Sequence, residues 1–172
     1  MSENPVYILC IETANAVTSV AIAKNEQCLH IKEITEPNKA ADTLHLLIES
    51  LLEETNLSFS QLQAVSISAG PGSYTGLRIA AAAAKGYCFA LNIPLIAIPT
   101  FEAMVHGIQK RYHQLNFDEY VPMIDARRME VFTSFFNKNG GIIQAFPSLV
   151  IDEKFKNLLD EKKKYILFGN GA

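Results

Sequence analysis

The residues best placed to do chemistry in this 172-residue chain lie in one run, Gly70-Pro71-Gly72-Ser73-Tyr74-Thr75-Gly76. A glycine-rich turn between a strand and a helix exposes backbone N–H groups that can hold an anion, so Gly70, Gly72 and Ser73 are candidate phosphate contacts. The details depart from familiar cradles. A P-loop ends in Gly-Lys-Ser/Thr, whereas Thr75 stands five places after Gly70 with no lysine beside it. The spacing of Gly70, Gly72 and Gly76 is one residue longer than the dinucleotide fingerprint. Ser73 is flanked by Pro71 and Thr75 where a nucleophile elbow needs glycines. A close-packed helix start explains the same glycines. A second candidate is Arg127-Arg128, within Asp125-Ala126-Arg127-Arg128-Met129-Glu130. Guanidinium forks match phosphate oxygens, and the plainer reading is a charged turn with its arginines in water or pairing locally.

Other constellations are sparse. Glu12 and Glu49 could hold two metals for phosphodiester cleavage, but the segment Ala64 to Ala69 adds no acid, and two scattered carboxylates make a poor cage. His30, His45, His106 and His113 form no H-E-x-x-H or i, i+4 pair. No metal and no cofactor is expected. Cys10, Cys28 and Cys88, odd in number and set among apolar neighbours, read as buried free thiols. The net charge of -3 supplies no global field for nucleic acid or anionic lipid. Residues 1–110 hold 6 Lys or Arg against 10 Asp or Glu, and residues 111–172 hold 9 against 8, so an anion contact is favoured in the second part.

The elements that must position these residues belong to a folded α/β chain. AVILMFWYC residues make up 49% and charged residues 19%, too apolar for disorder. No apolar stretch reaches the roughly 18 to 20 residues that span a bilayer, and the start lacks the basic residues of a secretory signal, so a cytoplasmic, non-membrane protein is expected. Val6–Thr13, Thr18–Lys24 and Cys28–Thr35 read as antiparallel strands, ended by Pro37-Asn38. A helix from Ala40, a strand Gln63–Ala69, an alanine-rich helix Tyr74–Leu91 closed by Asn92, a strand Pro94–Ile98 and a helix Phe101–Tyr112 capped by Thr100 follow. The order βββαβαβα describes the ribonuclease H-like lobe of actin-like (ASKHA) ATPases. Residues 1–112 are assigned to this lobe. Residues 113–172 form a second, smaller lobe with strands Val121–Ala126, Glu130–Phe136 and Ile142–Ile151, a helix Asp152–Lys163 and a strand Tyr165–Phe168. It is expected to be incomplete, because the chain stops on a Gly-rich turn directly after a strand.

What exceeds a plain core is the width of two helices. Gly76, Ala80, Ala83 and Tyr87 form one lane of the second helix, and Leu77, Ala81, Ala84, Cys88 and Leu91 the next. A helix on a sheet must bury only one stripe, so the surplus invites a further helix to approach over small residues. The first helix is equally wide. The expected interface comprises Ala41, Leu44, Leu47, Ile48, Leu51, Gly76, Ala80, Ala83, Ala84 and Tyr87, docking against a like pair from another chain. The alternative is that both helices are simply core.

Ile11-Glu12-Thr13-Ala14, Ser68-Ala69-Gly70-Pro71-Gly72-Ser73-Tyr74-Thr75-Gly76-Leu77-Arg78 and Ile124-Asp125-Ala126-Arg127-Arg128-Met129-Glu130-Val131 closely resemble the TsaB (YeaZ) family. The resemblance implies an actin-like ATPase fold without its own catalysis. It also implies a role in making N6-threonylcarbamoyladenosine beside the anticodon of tRNA, as partner of the catalytic paralogue TsaD, joined by the ATPase TsaE. Alone, such a chain is expected to form a homodimer and to reach tRNA indirectly through the complex. The paralogue carries two metal-binding histidines in an H-x-E-x-H-like stretch where this chain has Thr100 and Met104 around Glu102, and neither replaces imidazole well. The rival reading is a nucleotide-hydrolysing or phosphotransferring member of the actin-like clan, including the glycoprotease-like label some members have carried; a third is direct, salt-dependent tRNA binding through Arg127 and Arg128.

Overall fold

The computed structural model describes residues 5–36 and 39–172, the side chain of Lys154 aside, so the expected turn at Pro37-Asn38 lies outside the described residues. The chain forms two compact units, Met1–Ile98 and Pro99–Ala172.

In the first unit β1 (Tyr7–Glu12), β2 (Thr18–Lys24) and β3 (Gln27–Ile34) are antiparallel. β4 (Ala64–Ser68) and β5 (Leu95–Ile98) join in parallel, giving the order β3-β2-β1-β4-β5. All five residues of β4 are buried, as a central parallel strand requires. Helices α1 (Ala40–Glu54) and α2 (Tyr74–Leu91) make the crossovers. Leu44, Ile48 and Leu51 of α1 and Ala80 and Ala84 of α2 pack with Leu9, Ile11, Val20, Ile22 and Val65 of the sheet. Each fully buried Leu or Ile contributes about 1.5–3 kcal/mol, which is what holds α1 in place. Asn92 ends α2 in the left-handed conformation, at φ 54°. A 3-10 turn at Phe59–Gln61, invisible to periodicity, sets the Phe59 ring against Tyr87 at 5.2 Å.

The second unit holds α3 (Thr100–Arg111), β6 (Glu119–Arg127), β7 (Glu130–Asn137), β8 (Ile142–Val150), α4 (Glu153–Lys156) and β9 (Tyr165–Phe168), in sheet order β8-β7-β6-β9. β6 is buried on both faces. Phe101 and Val105 of α3 pack with Tyr120, Ile124 and Phe136, while Val121 and Met123 pack with Val131, Phe135 and Phe155. Because the apolar stripe of α3 is covered by β6 and β7, α3 belongs to the second compact unit. Thr100 is the first residue of α3 and Pro99 its cap, correcting the expected cap. α4 is also much shorter than the expected Asp152–Lys163 helix. Among the described residues no helix is long and apolar enough to cross a membrane.

Candidate functional site

Gly72 and Gly76 of the Gly70–Gly76 turn are packed against the chain itself. A Cβ at Gly72 would stand 2.5 Å from the Ala14 carbonyl oxygen, and one at Gly76 would collide with the Thr13 carbonyl oxygen. The Thr13 hydroxyl donates to the Gly76 carbonyl at 2.8 Å, and the Ser73 N–H donates to the Ala14 carbonyl at 2.7 Å. Gly70 has φ +105°, a conformation that favours glycine. Ser73 Oγ accepts from the Gly76 N–H at 3.2 Å and caps α2. These contacts clasp the β1–β2 turn onto the start of α2, so close packing alone accounts for Gly72 and Gly76.

Glu12 completes the clasp. Its Oε1 accepts from the Ala14 N–H at 2.6 Å and its Oε2 from the Ser68 hydroxyl, so both oxygens bind neighbouring elements of the same unit. Glu49 lies on the exposed face of α1, on the opposite side of the sheet, so the two carboxylates considered for metal binding are not brought together. No group of three or more His, Cys, Asp or Glu side chains gathers among the described residues. In the second unit Thr100 is buried, Met104 packs beneath Gly169 and Glu102 is exposed. The cysteines are free, with Cys10 and Cys88 half-buried. Cys28 is exposed on the edge strand β3, correcting its expected burial. Burial pushes the Cys10 thiol up, away from reactivity.

The helical layer departs most from expectation. Leu44, Leu47, Ile48, Leu51, Gly76, Ala80 and Ala84, all assigned to an external interface, are buried in the core of the first unit, with Ala80 only 1% exposed. The second apolar lane is used within the unit, because α2 packs on the sheet and against α1 together. Ala83 and Tyr87 are half-buried. The Tyr87 hydroxyl lies 2.7 Å from His45 Nδ1 of α1. Burial, followed by the nearby Glu49 charge, holds the Tyr87 phenol above its ordinary value. Of the ten residues, Ala41 alone is exposed.

What the layer does present outward was not anticipated. Phe89 is 91% exposed, Tyr74 70% and Leu46 64%. Ala82 and Gly86 are exposed beside Phe89 on the outer face of α2, and nothing lies within 4 Å of a Cβ built on Gly86. The outward charges divide by helix, with Asp42, Glu49 and Glu53 on α1 and Arg78 and Lys85 on α2. An aromatic residue sharing a lane with Arg78 and Lys85 was the available signal.

Arg127 and Arg128 lie in the second unit, at the β6–β7 hairpin, whereas Gly70, Gly72 and Ser73 lie in the first. Arg127, Arg128 and Met129 have φ of 69°, 56° and 65°. Three successive L residues in this region cost about 1–2 kcal/mol each. The Asp125 carboxylate accepts from the Arg127 N–H at 2.7 Å, the Asp125 N–H donates to Asn170 Oδ1 at 3.1 Å, and the Met129 carbonyl accepts from the Ile151 N–H at 3.0 Å. Both arginines are exposed, and neither guanidinium has an ion-pair partner among the described residues.

A sheet ordered β3-β2-β1-β4-β5 with helical crossovers, followed by a second mixed sheet, is the actin-like (ASKHA) fold. The sequence then fixes the branch: the chain belongs to the TsaB (YeaZ) family. The profile of TsaD, tRNA N6-adenosine threonylcarbamoyltransferase, matches residues 9–164. The tRNA threonylcarbamoyladenosine biosynthesis protein TsaB of Buchnera aphidicola (subsp. Acyrthosiphon pisum) is 32% identical over 93% of this chain and 72% of that protein. TsaB of Bacillus subtilis is 30% identical over 94% and 69% respectively. The solved structure of YeaZ from Pseudomonas aeruginosa superposes with a TM-score of 0.70 at 27% identity, covering 84% of this chain and 67% of that one.

Proposed function

We propose that the chain is a non-catalytic scaffold in tRNA threonylcarbamoyladenosine biosynthesis. The outer face of α1 and α2 pairs with a TsaD-type transferase, TsaE joins the assembly, and the same face self-associates when the chain is alone. The observation that carries this reading is the exposed apolar set of Phe89, Ala82 and Gly86 on one face of α2, with Leu46 exposed on α1, on a layer whose own core is already closed. Clustered apolar residues at a surface mark protein contacts. Segregated charge favours a partner of the same fold, since a two-fold or pseudo-two-fold copy sets the acids of α1 against the bases of α2. The names of the TsaB relatives supply the pathway. Against the rival nucleotide-hydrolysing reading stands the turn at Gly70–Gly76, where Gly72 and Gly76 serve close packing against the Ala14 and Thr13 carbonyls.

Reconstitution tests the proposal. Threonylcarbamoyl transfer to tRNA, followed with purified TsaD-type transferase and TsaE, is expected to rise when the chain is added and to be absent with the chain alone. Transfer unaffected by the chain, or ATP hydrolysis by the isolated chain, contradicts it.

A further inference from the structure

We infer that the β6–β7 hairpin tip is a direct RNA-backbone contact, with Arg127 and Arg128 gripping phosphodiester oxygens of tRNA. This deepens the scaffold reading and rests on it for the choice of RNA among polyanions; it selects the direct contact that the sequence left open beside an indirect one.

The argument starts from an expensive backbone. A two-residue hairpin with positive φ at both loop positions ordinarily takes Asn and Gly. The next hairpin, between Asn137 and Ile142, takes a longer turn and leaves its positive φ, +80°, to Gly140. At the β6–β7 turn the same conformation is imposed on Arg128 and Met129 and continued back through Arg127. Such strain persists only where surroundings over-determine it. Asn170, the Asp125 carboxylate and the Ile151 N–H supply that restraint from three sides. The product is a stiff tip bearing two guanidiniums and the thioether of Met129, which is 72% exposed.

Solvation or local pairing explains the charges less well. The Asp125 carboxylate is turned onto the Arg127 backbone, and Glu130, opposite Arg127 in the ladder, forms no ion pair with it. A planar guanidinium fork matches phosphate oxygens bidentately and loses less freedom per hydrogen bond than an ammonium, so two forks on one restrained turn suit a phosphate backbone better than two lysines would. With the whole chain at net charge -3, the contact is local. Its salt dependence is therefore that of about two phosphates.

The test measures fluorescence anisotropy of a labelled unmodified tRNA transcript titrated with the full chain between 20 and 200 mM KCl, roughly the range over which counterion release is read. The double variant R127G/R128G removes both charges while glycine accepts the native φ. It is expected to bind about tenfold more weakly at low salt, to lose about 1 to 2 from the slope of log K against log salt, and to melt no lower than the parent. R127K/R128K is expected to keep the slope but lose part of the affinity. Unchanged affinity and slope in the glycine variant, absence of binding by the parent chain at low salt, or equal displacement of the tRNA by polyglutamate overturns the inference. Co-elution with the transferase, run on the same variants, separates the two claims. Intact pairing with unaltered RNA binding sinks the RNA contact alone, whereas a parent chain that binds RNA but never co-elutes sinks the scaffold reading.

Discussion

Two substitutions on one helix should behave in opposite ways. Ala80 is 1% exposed and surrounded by sheet and α1 side chains, so Ala80→Arg both overpacks the core and buries an unpaired charge. The two effects cost about 1–3 kcal/mol and 3–5 kcal/mol. Together they approach the whole stability of a small protein, about 5–15 kcal/mol. Ala80→Arg therefore abolishes pairing by unfolding the first unit. Phe89 is 91% exposed, and replacing it leaves folding within about 0.5 kcal/mol. If its ring is buried against a partner, Phe89→Glu forfeits about 1.5–3 kcal/mol of binding, a ten- to hundredfold weaker complex. Circular-dichroism melts paired with titration calorimetry against the transferase read both quantities. A Phe89→Glu chain that folds and binds within twofold of the parent refutes the placement of the contact. An Ala80→Arg chain that melts normally refutes the burial argument.

The same small change should have opposite signs at two glycines of α2. Gly76→Ala drives a methyl into the Thr13 carbonyl and breaks the buried Thr13–Gly76 hydrogen bond. It is expected to cost about 2–4 kcal/mol in urea unfolding, and a loss below 0.5 kcal/mol disproves the clasp. Gly86→Ala meets nothing within 4 Å and should gain about 0.5–1 kcal/mol from helix propensity; destabilisation there would show that the site is not open. Hydrogen bonds, first from Lys32 and then from His30, hold the Glu54 carboxyl below its ordinary value. A lowered carboxylate contributes stability that is complete above the ordinary glutamate range and drains away as pH falls below that range through the lowered folded-state value. Glu54→Gln should flatten that acid limb of stability against pH, and an unchanged limb refutes the linkage.

Much of the fold was legible because period and punctuation agree. Thr18–Lys24 and Tyr74–Leu91 have the expected bounds, alternation marking the one and a helical stripe between Ser73 and Asn92 the other. The α4 region was not legible, because the side chains of Asp152, Asp160 and Tyr165 bond to nearby N–H groups and draw the chain into turns. Seven of the ten residues expected at the helix interface are core for a geometric reason. A helix flanked by both a sheet and a second helix uses two apolar lanes, so lane width does not distinguish core from docking face. Phe89 does, because an aromatic residue among Arg78, Lys85 and Gly86 has no internal partner to explain it. The glycine turn was legible as packing through its departures from the P-loop pattern, although its partners, Thr13 and Ala14, are distant in sequence.

Pairing itself is the most direct test. Calorimetric titration of the purified chain into its cognate TsaD-type transferase, repeated at several temperatures, should give saturable binding with a negative heat-capacity change, the mark of apolar burial. Absence of saturable binding with both proteins folded at micromolar concentration would contradict the account.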